Sequence, residues 1–489
     1  MSNLIDRFLN SITMYKLVLY CLAVTAFFAI IFGFMGSLNY EGWQLLNSAI
    51  FFAIFCFLIN AIFAKIVKAP ATLESSLITG LILFFIMGPI ESLNQLFMVF
   101  LVSFVAIASK YIIAINRKHI FNPAAFAAVV FGFLQYPATW WVANPYLFPF
   151  ILVSGLLIVR KIKRFPMVFS CMLGFLIMFF VSSGFSDMLT GFASAFISWP
   201  IIFFSSVMLT EPVTLMTGNK RRIVYGFIIG LFLGYPFSIF DSFATTPEII
   251  LIMGNIISFV FSLKGKIIMR FEEKIQLNKD SYEFLFQPKN RFAFKPGQFM
   301  EWSLPHSYQD SRGIRRYFTI ASSPEDVLVK IGVRFNNKIS TFKQNLLHFK
   351  KGDVIFASFL DGDFVLPRAI GESKEKFVFI AGGIGITPFV SMIRDMIAKN
   401  ETRDITLFYC KDEKDFAYVD VLKEAERVGV QTIFTDSIDE AMIKKYVPDF
   451  KHVLWYFSGP NAMVQSYRKL IRSMGVSFFK IKTDYFPGY

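Results

Sequence analysis

"KFVFIAGGIGITPFVSMIRDM", Lys376 to Met396, decides how the second half of this chain is read. An apolar strand runs into Gly382, Gly383 and Gly385, and Thr387 and Pro388 then open a helix. Glycines at such a turn let backbone approach a diphosphate closely, and the helix turns its positive end toward it. The spacing departs from G-x-G-x-x-G, so the turn is not the usual dinucleotide fingerprint. The rhythm continues through "DITLFYC", "VDVLKEAERVG", "QTIFTD" and "HVLWYFSGPNAMVQSYRKLIRSMG". Strand and helix alternate, which predicts an α/β domain with a parallel sheet over residues 373–489. Ser458, Gly459 and Pro460 fall at the end of a strand, on the edge where such sheets bind ligands.

Working back from Lys376, residues 268–372 change pattern. "KIQLNKDSYEFLFQP", "GQFMEWSLP", "RRYFTIASSP" and "VLVKIGVRF" are short alternating runs broken by Pro, Gly and Asn. They predict a small antiparallel β-barrel. One strand, "RYFTIAS", carries Arg316, Tyr317, Phe318 and Thr319: a cation, two aromatics and a hydroxyl. Downstream, Ser340 and Thr341 open a helix in "NNKISTFKQNLLHFKKGD". Hydroxyls and backbone N–H groups there suit either a phosphate or a simple N-cap.

In this order and spacing, the four motifs resemble the ferredoxin–NADP reductase superfamily over roughly Lys274 to Tyr489. The resemblance implies FAD in the barrel, NAD(P)H in the α/β domain, and hydride passing from nicotinamide to flavin N5. It implies Arg316 at the flavin diphosphate, Phe318 against the isoalloxazine and Thr319 near N5. Ser458 stands where many members have cysteine, and Phe318 where a tyrosine is frequent. A terminal aromatic covers the flavin in some relatives, which implies Phe486 or Tyr489 here. Lys411 suits a 2′-phosphate, but Asp412 and Glu413 beside it would repel one, which favours NADH.

The first half has a different solvent. The 489 residues are 55% hydrophobic, with a mean hydropathy of +0.54. Most of the apolar weight lies before Lys264. At roughly 20 apolar residues per crossing, residues 1–267 predict an α-helical polytopic membrane domain of about ten spans. Every Lys and Arg before Glu272 falls in one of six groups: Arg7/Lys16, Lys65/Lys68, Lys110/Arg117/Lys118, Arg160/Lys161/Lys163/Arg164, Lys220/Arg221/Arg222 and Lys264/Lys266/Arg270. Ten spans would place all six on one side, while the opposite loops hold Glu41, Glu91, Asp187, Asp241 and Glu248. Basic loops face the cytoplasm, so the expected location is the cell (inner) membrane, with the N-terminus and the second half cytoplasmic. The net charge of +14 is thereby placed at a membrane face, which excludes nucleic acid as the expected partner.

Four cysteines, Cys21, Cys56, Cys171 and Cys410, have no metal-site spacing, so no metal centre is expected. Membrane haem needs paired axial ligands, usually histidines. His119 is the one histidine of the first half, so no haem is expected.

Two polar interruptions remain: "NRKHIFNPAAF", Asn116 to Phe126, and "SSVMLTEPVTLMTGNKRR", Ser205 to Arg222. Interrupted spans mark binding sites in many transport folds, and Asn-Pro and Glu-Pro also start helices. "KHIFNPAAF" and "MLTEPVT" resemble the B subunit of the sodium-translocating NADH:quinone reductase and the D subunit of the Rnf complex, over about Leu17 to Leu263. In that family an Asp-Pro-x-[ST]-Gly-Ala-Thr stretch carries FMN on its threonine. Laid over it, Glu211 and Pro212 match the acid and proline, Thr214 the hydroxyl and Thr217 the attachment threonine. Leu215 and Met216 replace the Gly-Ala pair, which argues against a covalent bond at Thr217.

The expectation is therefore a membrane flavoprotein oxidoreductase. It would take hydride from NAD(P)H onto FAD and pass electrons to a quinone or an extracytoplasmic flavoprotein. A Na⁺- or H⁺-translocating pump, or a subunit of an Rnf- or Nqr-like complex with partner subunits, is the alternative.

Overall fold

The computed structural model describes residues 5, 8–9, 12–67, 73–115, 118–183, 188–235, 237–240, 243–262, 265–306, 308–310, 312–335, 339–367, 375–411 and 415–484. Contacts divide the chain at Gly265/Lys266 into two units.

The first unit is helical, because an apolar run without charge can satisfy its backbone only internally. Among the described residues, three helices are long and apolar enough to cross a membrane: Met14–Phe34, Gly42–Ile66 and Phe165–Ser182. This corrects the expectation of about ten. Leu73–Ile86, Leu96–Ile112, Pro123–Phe133 and Pro247–Phe261 are apolar but shorter. At 1.5 Å rise per residue, a helix of 10–17 residues reaches only about 15–26 Å of a ~30 Å hydrocarbon core. Local chemistry sets some of these limits. Asn122 caps its helix by accepting from the Ala125 N–H at 3.1 Å, and Pro123 follows at the first turn. Pro200 separates the helix Met188–Ile197 from a segment beginning at Ile201.

That second segment does not stay α-helical. Phe204–Met208 is a π-helix, with the Leu209 N–H donating to the Phe204 carbonyl at 2.8 Å. Its hydroxyls turn back on the backbone: Ser206 Oγ donates to the Ile202 carbonyl at 2.6 Å and Thr210 Oγ1 to the Ser206 carbonyl at 2.7 Å. Such bonds compete with the regular ladder and bend it. Elsewhere, Gly226, Gly230 and Gly234 of Asn219–Gly234 lie against backbone carbonyls of Phe165–Ser183. A Cβ on Gly230 would stand 2.0 Å from the Cys171 carbonyl oxygen, so only glycine permits that approach.

The second unit has two sheets. β1 (Ile267–Gln276), β2 (Ser281–Pro288), β3 (Phe299–Ser303), β4 (Arg315–Thr319), β5 (Val329–Arg334) and β6 (Val354–Asp361) form one antiparallel sheet. Its order is β4-β3-β6-β1-β2-β5. The two ends meet where Ile320 bridges Ile331 and the Ala321 N–H donates to the Lys330 carbonyl at 2.7 Å, so the sheet curls back on itself. β7 (Lys376–Gly382), β8 (Asp404–Cys410), β9 (Val430–Thr435), β10 (Leu454–Ser458) and β11 (Ile481–Asp484) form a parallel sheet of order β9-β8-β7-β10-β11. Its central strand β7 is buried from Phe377 to Gly382, as a strand covered on both faces must be.

The two sheets are joined by buried polar contacts. Arg394, on the helix Thr387–Lys399, grips Glu283 of β2 through both guanidinium ends at 2.7 and 3.1 Å, and donates to the Ala321 carbonyl at 2.9 Å. Ser391 Oγ donates to the Ser322 carbonyl at 2.7 Å, and Ser323 Oγ donates to Asp395 at 3.1 Å.

Candidate active site

Alternation along β4 puts Arg316 and Phe318 on one face and Tyr317 and Thr319 on the other. The Arg316 guanidinium lies 5.3 Å from the Phe342 ring centre and the Phe318 ring 6.0 Å from it. Phe342 belongs to the turn of helix opened by Ser340 and Thr341, so the structure brings these expected residues together. Arg316 is 4% exposed, and its Nη1 donates to the carbonyls of Arg312, Gly313 and Arg315. Ser340 is the N-cap, accepting from the Lys343 N–H at 3.3 Å. Tyr317 is half-exposed, and its hydroxyl donates to Glu301 at 3.0 Å.

The charges here are denser than the sequence motifs suggest. Asp310 accepts from Arg312 at 2.8 and 3.2 Å and from the Thr341 N–H at 3.1 Å, and it lies 3.8 Å from Arg316. Burial pushes its carboxyl up, but bonds from Thr341 and Arg312 outweigh that and hold it below the usual carboxylate range. Burial, together with the charges of Arg316, Arg312 and Arg334, brings Lys343 down to about 8. Asp310, Arg312 and Lys343 were absent from the expected set, because nothing in local spacing shows that the turn before β4 folds back onto the Ser340 helix.

Three buried polar atoms on neighbouring strands have no hydrogen-bond partner among the described residues: Trp302 Nε1, Ser303 Oγ and Thr319 Oγ1. Trp302 and Ser303 pair in register with Arg316 and Arg315. An orphaned buried polar group costs about 1–3 kcal/mol, so the unpaired Thr319 hydroxyl at the end of the strand that carries Arg316 fits a polar ligand such as a flavin. On this test the residues present suit FAD.

The glycine turn lies close by. Gly383 has φ +54°, which favours glycine. A Cβ on Gly385 would stand 2.5 Å from the Gly459 Cα and 2.6 Å from the Ser458 carbonyl oxygen, so the two expected nicotinamide loops touch through backbone. Thr387 Oγ1 donates to the Ile384 carbonyl at 3.1 Å, and Pro388 follows in the first helical turn. A Cβ on Gly332 of β5 would stand 2.7 Å from Thr387 Cγ2. Ile331 beside it bridges Ile320, the residue after Thr319. The strand end carrying Thr319 and the glycine turn are thus neighbours through one pair of residues. Lys411 is already held, donating to the Asp415 carbonyl at 2.6 Å and lying 3.8 Å from Asp280. Phe486, Tyr489, Asp412 and Glu413 lie outside the described residues.

In the first unit, the two polar interruptions meet. Glu211 contacts His119 Nε2 at 3.1 Å and accepts from Asn122 Nδ2 at 2.9 Å and Thr214 Oγ1 at 3.4 Å. The Asn122 N–H donates to Asn255 Oδ1 at 2.7 Å. Leu215 and Met216 are buried, while Thr217 is half-buried. A further carboxylate was expected in a loop and is not exposed: Glu248 is 3% exposed and accepts from Trp140 Nε1 at 2.7 Å. No group of three or more His, Cys, Asp or Glu residues among the described residues is arranged to hold a metal ion.

Residues 379–469 match the oxidoreductase NAD-binding domain family. Flavohemoprotein A of Dictyostelium discoideum is 22% identical over 225 residues, 42% of this chain and 56% of that protein. The glycine betaine monooxygenase reductase subunit of Pseudomonas aeruginosa is 25% identical over 243 residues, 45% of this chain and 64% of that protein. The ferredoxin-NADP+ reductase of Plasmodium falciparum superposes with a TM-score of 0.40 at 18% identity, covering 46% of this chain and 98% of that structure. The chain spans about half the length of the flavohemoproteins it matches. The second unit is an FAD- and NAD(P)H-binding oxidoreductase domain, similar to those of ferredoxin–NADP reductases.

Proposed function

We propose that the whole protein is a membrane flavoprotein oxidoreductase that draws electrons from NAD(P)H at the cytoplasmic face and delivers them to a quinone or an extracytoplasmic flavoprotein. The observation that carries the reading is the adjacency of Thr319, with its orphaned hydroxyl, to the Gly382–Gly385 turn through Ile320, Ile331 and Gly332. FAD supplies acceptance of an electron pair and its release one electron at a time. Arg316, with Arg312 and Lys343, would hold its diphosphate, and Phe318 and Tyr317 would flank its rings. Thr319 would satisfy its polar edge. Gly383, Gly385, Thr387, Pro388, Ser458, Gly459 and Pro460 would seat the nicotinamide nucleotide, leaving Ser458 to orient the ring. The three long apolar helices support a membrane location.

The first unit would take the electrons onward, as its resemblance to the sodium-translocating reductase and Rnf subunits implies. Glu211, Thr214 and Thr217 are the proposed contacts for a second flavin, with no covalent bond at Thr217 because Leu215 and Met216 crowd the backbone. The test is purification of the full chain in detergent, followed by NADH and then a soluble quinone. Bleaching of the flavin band and its return with quinone is the expected result. A colourless protein, or a band that NADH leaves unchanged, would sink the proposal.

A second reading, ion translocation, is favoured by Glu248, since a buried carboxylate in an apolar helical unit is a functional candidate. In sealed vesicles it predicts NADH oxidation that depends on Na⁺ or drives proton uptake, and loss of that coupling in Glu248→Gln.

A further inference from the structure

From Lys451 to Thr483 the chain holds Lys451, Arg468, Lys469, Arg472, Lys480 and Lys482, and no acidic residue. This segment includes the helix Asn461–Ser473 and the edge strand β11 of the parallel sheet. Between them, a short helical turn carries Phe478 and Phe479. Phe478 is 48% exposed and Phe479 is 91% exposed, with ring centres 5.8 Å apart. The Arg468 guanidinium lies 4.9 Å from the Phe478 ring centre and that of Arg472 lies 5.8 Å away. Lys480 Nζ donates to the Lys451 carbonyl at 3.0 Å, which draws two further lysines to the same place. Lys469 and Arg472 are exposed. Asp449 and Asp484 bound the segment, so every charge within it is positive.

An exposed pair of phenylalanines is costly in water, and a collar of Arg and Lys around it selects what covers it. Aromatic rings sit comfortably among lipid headgroups, and cations beside them are drawn to an anionic surface. A soluble acidic partner would satisfy the cations but leave Phe479 to be matched by a pocket of its own. A lipid surface satisfies both, and the same chain carries three helices able to cross a bilayer. We infer that Phe478 and Phe479, with Arg468 and Arg472 beside Phe478 and Lys469 and Lys480 in the same all-positive segment, form a docking surface for anionic lipid headgroups. The inference rests on the membrane location proposed above and is independent of the flavin.

The four cysteines are buried, so Phe479→Cys in the full chain offers one accessible thiol for a polarity-sensitive fluorophore. The labelled protein is reconstituted into nanodiscs of phosphatidylcholine alone or with phosphatidylglycerol, each with and without nitroxide lipids. In phosphatidylglycerol discs the emission is expected to shift to the blue and lose most of its intensity to the nitroxides. Arg468→Glu/Arg472→Glu in the same labelled chain should restore the intensity. Emission at 479 that the nitroxides leave unchanged in phosphatidylglycerol discs, or quenching that survives the charge reversal, overturns the inference. So does quenching that grows with protein concentration, which would mark a second copy as the occupant. Failure of the full chain to enter discs at all would instead overturn the membrane location on which it rests.

Discussion

Glu211 and His119, 92 positions apart, meet at 3.1 Å, and Asn122 holds the second oxygen of the same carboxylate at 2.9 Å. One contact thereby turns two polar interruptions into a single cluster in a helical, apolar unit. Glu211→Ala would leave Asn122, itself 3% exposed, with a buried donor unpaired. The expected cost is about 1–3 kcal/mol of stability, read as a lower melting temperature in detergent. Glu211→Gln keeps the shape and one acceptor. It should retain NADH:ferricyanide activity, which needs the second unit only, and lose most NADH:quinone activity.

Thr319→Val removes a hydroxyl that bonds to nothing among the described residues. The flavin-free protein should therefore be as stable as the parent or slightly more so. Reduction of bound flavin by NADH, followed by stopped flow, should slow about tenfold, the equivalent of one lost hydrogen bond of ~1.4 kcal/mol. An unchanged rate would remove Thr319 from the site.

Asp310 keeps an anion among Arg312, Arg316 and Lys343. Asp310→Asn should tighten FAD binding, because a diphosphate no longer competes with a resident carboxylate. Its carboxyl is held below the usual range, so its stabilising effect is full above the unfolded pKa of about 4. That effect is lost as pH falls through the lower folded value. The variant should flatten this acid limb of the unfolding curve in flavin-free protein.

Lys343 titrates near 8 in the folded chain and higher when unfolded. The unfolded state therefore binds more protons between these values, and Lys343 makes stability rise with pH across that interval. Its charge in the cradle is lost over the same interval. FAD affinity, measured by fluorescence quenching, should fall as pH rises through about 8, and Lys343→Gln should remove that step.

Gly385→Ala drives a methyl to 2.5 Å from the Gly459 backbone, which cannot move aside as a flexible side chain would. NADH should bind at least an order of magnitude more weakly, at a cost above about 1.4 kcal/mol, while FAD content is retained. Arg394→Ala should be costlier for the fold. It strands Glu283, whose side chain is 4% exposed, and breaking such a buried pair costs about 3–5 kcal/mol.

The contrast between an apolar first half and a polar second half, the parallel and antiparallel strand patterns and the glycine turn are legible in the sequence. These follow from short-range periodicity and from residues whose backbone freedom is fixed by their own chemistry. It read Arg316, Thr319, Ser340 and Gly385 as site residues on that local basis. It counted about ten spans, where three helices among the described residues are long enough, because hydropathy sees an apolar run but not a break such as that at Pro200. Tertiary folding alone brings Glu211 to His119, folds Asp310 onto the Thr341 N–H and buries Glu248 against Trp140. Each is a pairing across 31 to 108 positions. No local propensity encodes such a pairing, because what stabilises it is the loss of water around both partners once the surrounding core has closed.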